Sequence, residues 1–250
     1  MPESAASTEI VPGVHRLGSS TVNWYLVEEA GRITIVDAAV PGYWGQLEPA
    51  LASIGRKLED VDALVLTHAH SDHTGVAGHL HERGVPVYLH DGDHELLRTA
   101  KEPWKRERGA FPQVLRPGVW PFFIHMLRNG ALKPPKIDDP VSISDGDVLE
   151  VPGRPRIVST PGHTPGSCSI YFESNRTLIV GDLLCTWNPL TGHRGPQVMP
   201  AAFNVSSDES IGSLGRIEGL GAAVVLPGHG EPWTDGVESA VARAREAGKS

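Results

Sequence analysis

Cysteine is scarce: Cys168 and Cys185 are the only two in 250 residues, which leaves no disulfide framework and fits a reducing intracellular setting. No signal peptide is legible, because residues 1–9 have neither a basic start nor an apolar core. No apolar run approaches the length of a membrane span. No Ser/Gly linker or charge block divides the chain, so one domain over 1–250 is expected. Positive charge is also short, and the net of −8 argues against general nucleic-acid binding. What these absences leave is a soluble, cytoplasmic protein.

What is abundant is local. Thr67-His68-Ala69-His70-Ser71-Asp72-His73-Thr74-Gly75 places four metal-ligand side chains within six positions. Imidazole nitrogens from His68, His70 and His73, with the Asp72 carboxylate, form a donor set that Zn²⁺ and Fe²⁺ accept. The motif follows the apolar run Asp62–Leu66 and precedes a helical pattern from Val76, so it lies on a strand-to-helix loop. In an extended segment His68 and His70 face the same side and can share one ion. Asp72 and His73 come after a turn and can face a second.

Three further segments repeat one design, a strand running into a turn that carries a ligand. They are Ile157–His163, Leu178–Asp182 and Val224–His229, ending on His163, Asp182 and His229. Glycine in such turns allows a close backbone approach and proline stiffens them. The coarse pattern is α/β. Strands are expected at about 14–19, 22–29, 32–37 and 85–90 and across 141–182, with helices over 43–55, 74–83, from His94 and over 234–247.

Taken in order, His68-x-His70-x-Asp72-His73, His163, Asp182 and His229 resemble the metallo-β-lactamase superfamily of metal-dependent hydrolases. The resemblance runs from Val11 to Gly230 and implies a four-layer αββα sandwich with a dinuclear site at one edge of the sheets. By motif position, His68, His70 and His163 would hold one metal and Asp72, His73 and His229 the other, with Asp182 bridging. Asp37, ending the strand Ile33–Val36, matches the family's aspartate that orients the ligand loops. Two Zn²⁺ per chain are implied, with Fe or Mn as alternatives.

Paired dications hold a water and lower its pKa enough to give hydroxide near neutral pH. Asp72 could orient that nucleophile or carry its proton. Cleavage of a carboxylic ester, thioester or lactone is the leading expectation. A β-lactam or phosphodiester hydrolase of the same fold and an iron-dependent persulfide dioxygenase are the alternatives. Cysteine-type β-lactamases carry cysteine where this chain has Asp182, and glyoxalase II-type enzymes add a helical domain for which the 21 residues after His229 leave no room. Acyl-homoserine lactonases have a tyrosine just after the bridging aspartate, where this chain has Leu183-Leu184-Cys185-Thr186-Trp187.

Residues 101–136 form an unusual insertion, with eight basic against two acidic side chains and five of the chain's 15 aromatics. A basic, aromatic cover over the active site is expected. Trp120, Phe122 and Phe123 would meet an apolar substrate body, Arg116 and Arg128 its anionic group. Trp187 and His193 would flank the same pocket. Prolines at 112, 117, 121, 134 and 135 should limit this segment to short helices. An oligomer interface, such as a homodimer's, is the competing role for such exposed aromatics.

Overall fold

Alternation of apolar side chains along each strand builds the layers. The computed structural model describes residues 7–107 and 119–250. A seven-stranded sheet runs in chain order through β1 (Thr8–Val11), β2 (Val14–Gly18), β3 (Asn23–Glu29), β4 (Arg32–Val36), β5 (Val61–Val65), β6 (Val87–His90) and β7 (Val141–Ile143). Its first four strands pair antiparallel and its last four parallel. Helices α1 (Trp44–Ser53), α2 (Ala77–His81), α3 (His94–Thr99) and α4 (Trp120–Arg128) lie in its parallel crossovers.

The second sheet contains β8 (Arg156–Ser159), β9 (Cys168–Phe172) and β10 (Thr177–Gly181), followed in the chain by a separate hairpin of β11 (Leu184–Trp187) and β12 (Arg194–Val198). After α5 (Ser207–Ile217), β13 (Val224–Pro227) joins β10 in parallel, giving the order β13-β10-β9-β8, and α6 (Val237–Ala247) follows.

Three buried clusters separate four layers. Trp24, Leu26, Ile33 and Ile35 face outward from the first sheet onto Leu47 and Leu51 of α1 and Leu80 of α2. Their strand neighbours Tyr25, Val27 and Val36 point the other way, against Ile170, Phe172 and Ile179 of the second sheet. Leu178, Val180 and Val225 leave the far side of that sheet to meet Leu214 of α5 and Val241 of α6. The result is the αββα sandwich.

The helix expected over 74–83 begins only at Ala77. Thr74–Val76 belong to the ligand loop instead, where the amides of Gly75 and Val76 donate to the carbonyls of Ala39 and Ala38. Gly75 is required there, because a Cβ would lie 2.2 Å from the carbonyl carbon of Val40. Pro121 does not interrupt a helix but sits in the first turn of α4, where its missing N–H costs nothing. Helix α5 lies outside the expected elements, although Ser206 caps it by accepting from the Glu209 amide. Among the described residues, no helix is long and apolar enough to cross a membrane.

Candidate metal centre

Four strand ends, drawn from both sheets, deliver the donor groups. The loop after β5 carries His68, His70, Asp72 and His73; His163 follows β8, Asp182 follows β10 and His229 follows β13. Three sets of side chains have one donor atom each within 4.8 Å of one another: His68, His70 and His163; Asp72, His73 and His229; and His68, His73 and Asp182. The Asp182 carboxylate lies between the first two sets. Its Oδ2 is 3.4 Å from His163 Nε2 and 3.2 Å from His229 Nε2, and its Oδ1 is 3.4 Å from His73 Nε2. Asp72 Oδ2 is 3.5 Å from His229 Nε2.

The donors fit divalent cations on grounds of polar satisfaction. His68 Nε2, His73 Nε2 and Asp182 Oδ1 are buried and have no hydrogen-bond partner. Orphan buried polar atoms are costly, and a cation at their meeting point would satisfy them together. Gly228 keeps that point open, since a Cβ there would stand 2.4 Å from Asp182 Oδ1 and 2.5 Å from His73 Cε1.

Outer partners select the inward nitrogen of each ring. His73 Nδ1 donates to Asp37 Oδ2 at 2.8 Å and His163 Nδ1 to Asn204 Oδ1 at 3.0 Å. His229 Nδ1 donates to the Thr21 carbonyl, and His68 Nδ1 lies 3.1 Å from Thr67 Oγ1. All four therefore turn Nε2 inward. His70 is reversed: its Nδ1 faces His163 Nε2 at 2.8 Å.

Asp37 also accepts from the Thr67 amide at 2.8 Å, which ties β4 to the ligand loop. Two further anchors went unmarked in the sequence. Buried Asp93 accepts from the Ala69 amide, the Gly166 amide and the Thr164 hydroxyl, joining the first ligand loop to the His163 loop. It sits just past β6, so it repeats the strand-end placement of the other acids. Asn204, which holds His163, has no local pattern that could have marked it.

Burial and neighbouring charge divide the histidines. Burial pushes His163 down to about 3 and His68 well below its ordinary value, aided at His68 by the surrounding imidazoles. Burial also opposes charge on His73 and His229. There Asp182, joined by Asp37 at His73 and Asp72 at His229, outweighs it and raises both. Burial disfavours the Asp182 anion, yet His229 and His73 hold its carboxyl well below the usual range.

A cavity of about 430 Å³ opens onto the cluster, touching His70, Asp72, His163, Asp182 and His229. Its apolar wall includes Leu96, Phe122, Phe123, Met126, Met199 and Phe203. Trp120, Arg128, Trp187 and His193 do not line it. Trp120, Arg128 and His193 are exposed, and Trp187 stands behind Phe122 with ring centroids 6.3 Å apart. Arg116 lies outside the described residues. The wall instead carries Arg106, paired with Glu102 of the same segment.

The sequence model of the metallo-beta-lactamase superfamily matches residues 17–229. A protein of Bacillus subtilis named probable metallo-hydrolase YflN is 27% identical over 92% of this chain and 89% of its own. An uncharacterized protein of Aquifex aeolicus is 32% identical over 90% of this chain and 92% of its own. Among solved structures, the metallo-beta-lactamase family protein TTHA1429 of Thermus thermophilus aligns with a TM-score of 0.69 and 27% identity, over 96% of this chain and 80% of that one. TTHA1623, solved in a di-iron-bound form, aligns at 0.64 and 25% identity over 92% of this chain and 96% of that one. With the family model spanning most of its length and the αββα layers in place, the chain belongs to the metallo-beta-lactamase superfamily.

Proposed function

We propose that this metallo-hydrolase cleaves a carboxylic ester, thioester or lactone with an apolar body. His68, His70 and His163 would hold one divalent cation, Asp72, His73 and His229 a second, and Asp182 would contact both. The observation that carries the reading is the convergence of these seven side chains, with buried donor atoms that no protein group satisfies. Bound there, paired divalent cations would supply hydroxide near neutral pH and polarise a substrate oxygen.

The chain's own residues supply position and proton handling. Asp72 borders the cavity and is partly exposed, so its carboxylate can accept a proton from the nucleophile and pass it to solvent. Phe122, Phe123, Met126 and Phe203 offer an acyl or alkyl chain a dry wall. Arg106 is the one basic side chain on the described wall, and Glu102 already neutralises it. Both cysteines are free and buried, which agrees with a reducing cytoplasm.

The donor set suits zinc and iron alike, so metal content is the first measurement. Protein purified without chelator should approach two metals per chain and turn over p-nitrophenyl esters, acyl thioesters or lactones faster than a β-lactam or a phosphodiester. One metal per chain, not raised by added Zn²⁺, would end the dinuclear reading. A single iron with oxygen consumption on a persulfide would replace hydrolysis by dioxygenation.

A further inference from the structure

Of the inserted segment's two acidic residues, one faces a histidine of the first candidate metal group and the other is fixed on the loop that holds a second such histidine. Glu102 Oε1 stands 3.4 Å from His70 Nε2, a buried nitrogen with no hydrogen-bond partner. Glu107 accepts from the Ser207 amide at 2.6 Å, while its own amide donates to the Asn204 carbonyl at 2.8 Å. Asn204 in turn holds His163 Nδ1. In a segment so rich in lysine and arginine, Glu102 is thus the carboxylate that faces a candidate ligand, while Glu107 binds the first amide of α5 and its backbone meets the residue that holds His163.

His70 has most need of such a partner. Its neighbours in the cluster turn Nε2 inward and satisfy Nδ1 outside, whereas His70 presents Nδ1 to His163. For Nδ1 to ligate, its lone pair must be free, which places the ring proton on Nε2. The carboxylate facing that nitrogen on the structure's own distances is Glu102. Arg106 grips Glu102 through Nε and Nη2, four residues on, so the carboxylate is both ionised and fixed in direction.

We propose that Glu102 is a positioning residue for His70. It selects the Nε2–H tautomer that frees Nδ1 for the first metal, and it fastens the inserted segment to that metal's ligand. This rests on His70 ligating a metal, though not on which bond is hydrolysed. One consequence is that the wall residue Arg106 and the metal centre are coupled through a single carboxylate. Disturbing the 102–107 segment should therefore weaken the first site ahead of the second.

The test uses the full chain with Glu102→Gln, which preserves shape and removes charge, and Arg106→Met, which leaves the carboxylate but frees it to turn. Metal affinities come from chelator competition, and the first site is watched through the visible absorption of bound Co²⁺. For Glu102→Gln the expected result is a 10- to 100-fold weaker first metal, the range for loss of a ligand's outer partner, with the second unchanged. The Co²⁺ spectrum of the first site should also change. Arg106→Met should fall between that variant and the wild type. Wild-type affinity and spectrum in Glu102→Gln would overturn the proposal, as would equal weakening of both sites. Normal metal binding by the wild type with no hydrolysis of any ester would defeat the hydrolytic reading and leave this inference standing.

Discussion

Asp37 and His73 form a buried pair, Oδ2 to Nδ1 at 2.8 Å, and the pair decides which nitrogen of His73 faces the cluster. Asp37 holds this place with φ of +60°, a left-handed conformation that aspartate and asparagine tolerate better than most residues. Asp37→Asn should therefore fold, keep the Thr67 contact and lose control of the His73 tautomer. Affinity for the second metal should drop about 10- to 100-fold, the usual cost of losing such a partner. Unchanged occupancy of both sites in a chelator titration would refute that role.

Asp182→Asn tests the bridging position. The variant retains shape but removes the anion that three histidines face. Turnover should fall by orders of magnitude while the thermal midpoint of metal-loaded protein moves little. Wild-type kcat/KM in this variant would show that Asp182 is not a ligand.

Gly228→Ala asks whether space at the cluster is as limited as the contacts imply. The added methyl would stand 2.4 Å from Asp182 Oδ1 and 2.5 Å from His73 Cε1. A shift in those side chains should cost about 1–3 kcal/mol in urea denaturation, the range for overpacking a filled interior, and should lower metal stoichiometry. Full loading at wild-type stability would mean the loop yields freely.

Acid should act on the metal-free protein through His163. Burial holds its folded-state value near 3, against an ordinary 6.5. Between those values the unfolded chain takes a proton that the folded chain refuses, so His163 makes stability fall as pH drops below 6.5. In the presence of chelator, His163→Gln should lose less stability than wild type between pH 7 and pH 4.5. Equal losses would show that His163 titrates normally.

Phe122 and Phe123 border the cavity, whereas Trp120, Ile124 and Leu127 are exposed on the same helix. Phe122→Ala with Phe123→Ala should raise KM for long-chain esters more than for acetate esters and leave metal content intact. Trp120→Gln with Leu127→Gln should leave selectivity alone. Sedimentation of both variants separates a substrate wall from an interface. If the Phe pair converts an oligomer to monomers with unchanged selectivity, the wall reading fails.

The convergence of the candidate ligand loops was legible because metal donors are rare residue types at short spacings, and each stood where an apolar strand met a turn. His163, Asp182 and His229 could be aligned with the first motif on that basis, and Asp37 by its place at a strand end. Asn204 and Glu102 could not. Neither lies at the end of a strand, and each matters only because folding brings it to the outer nitrogen of a distant histidine. Arg128 and Trp120 were expected at the pocket because the insertion as a whole is basic and aromatic. In α4, however, the helical period sends Phe122 inward and Trp120 and Arg128 outward. Composition cannot make that distinction. Helix α5 was missed because Gly212, Gly215 and three serines dilute its apolar stripe, leaving the Ser206 cap as its clearest signal.

Because the candidate donors sit on loops of both sheets, a cation held at their centre would act as a rivet through the rim of the sandwich. His68 and His163 can meet only if the first sheet and the second lie in correct register across their shared core. A chain with a slipped strand would present half a site and hold metal weakly. Metal uptake would thus be a check on assembly, and only correctly assembled molecules would be armed for chemistry.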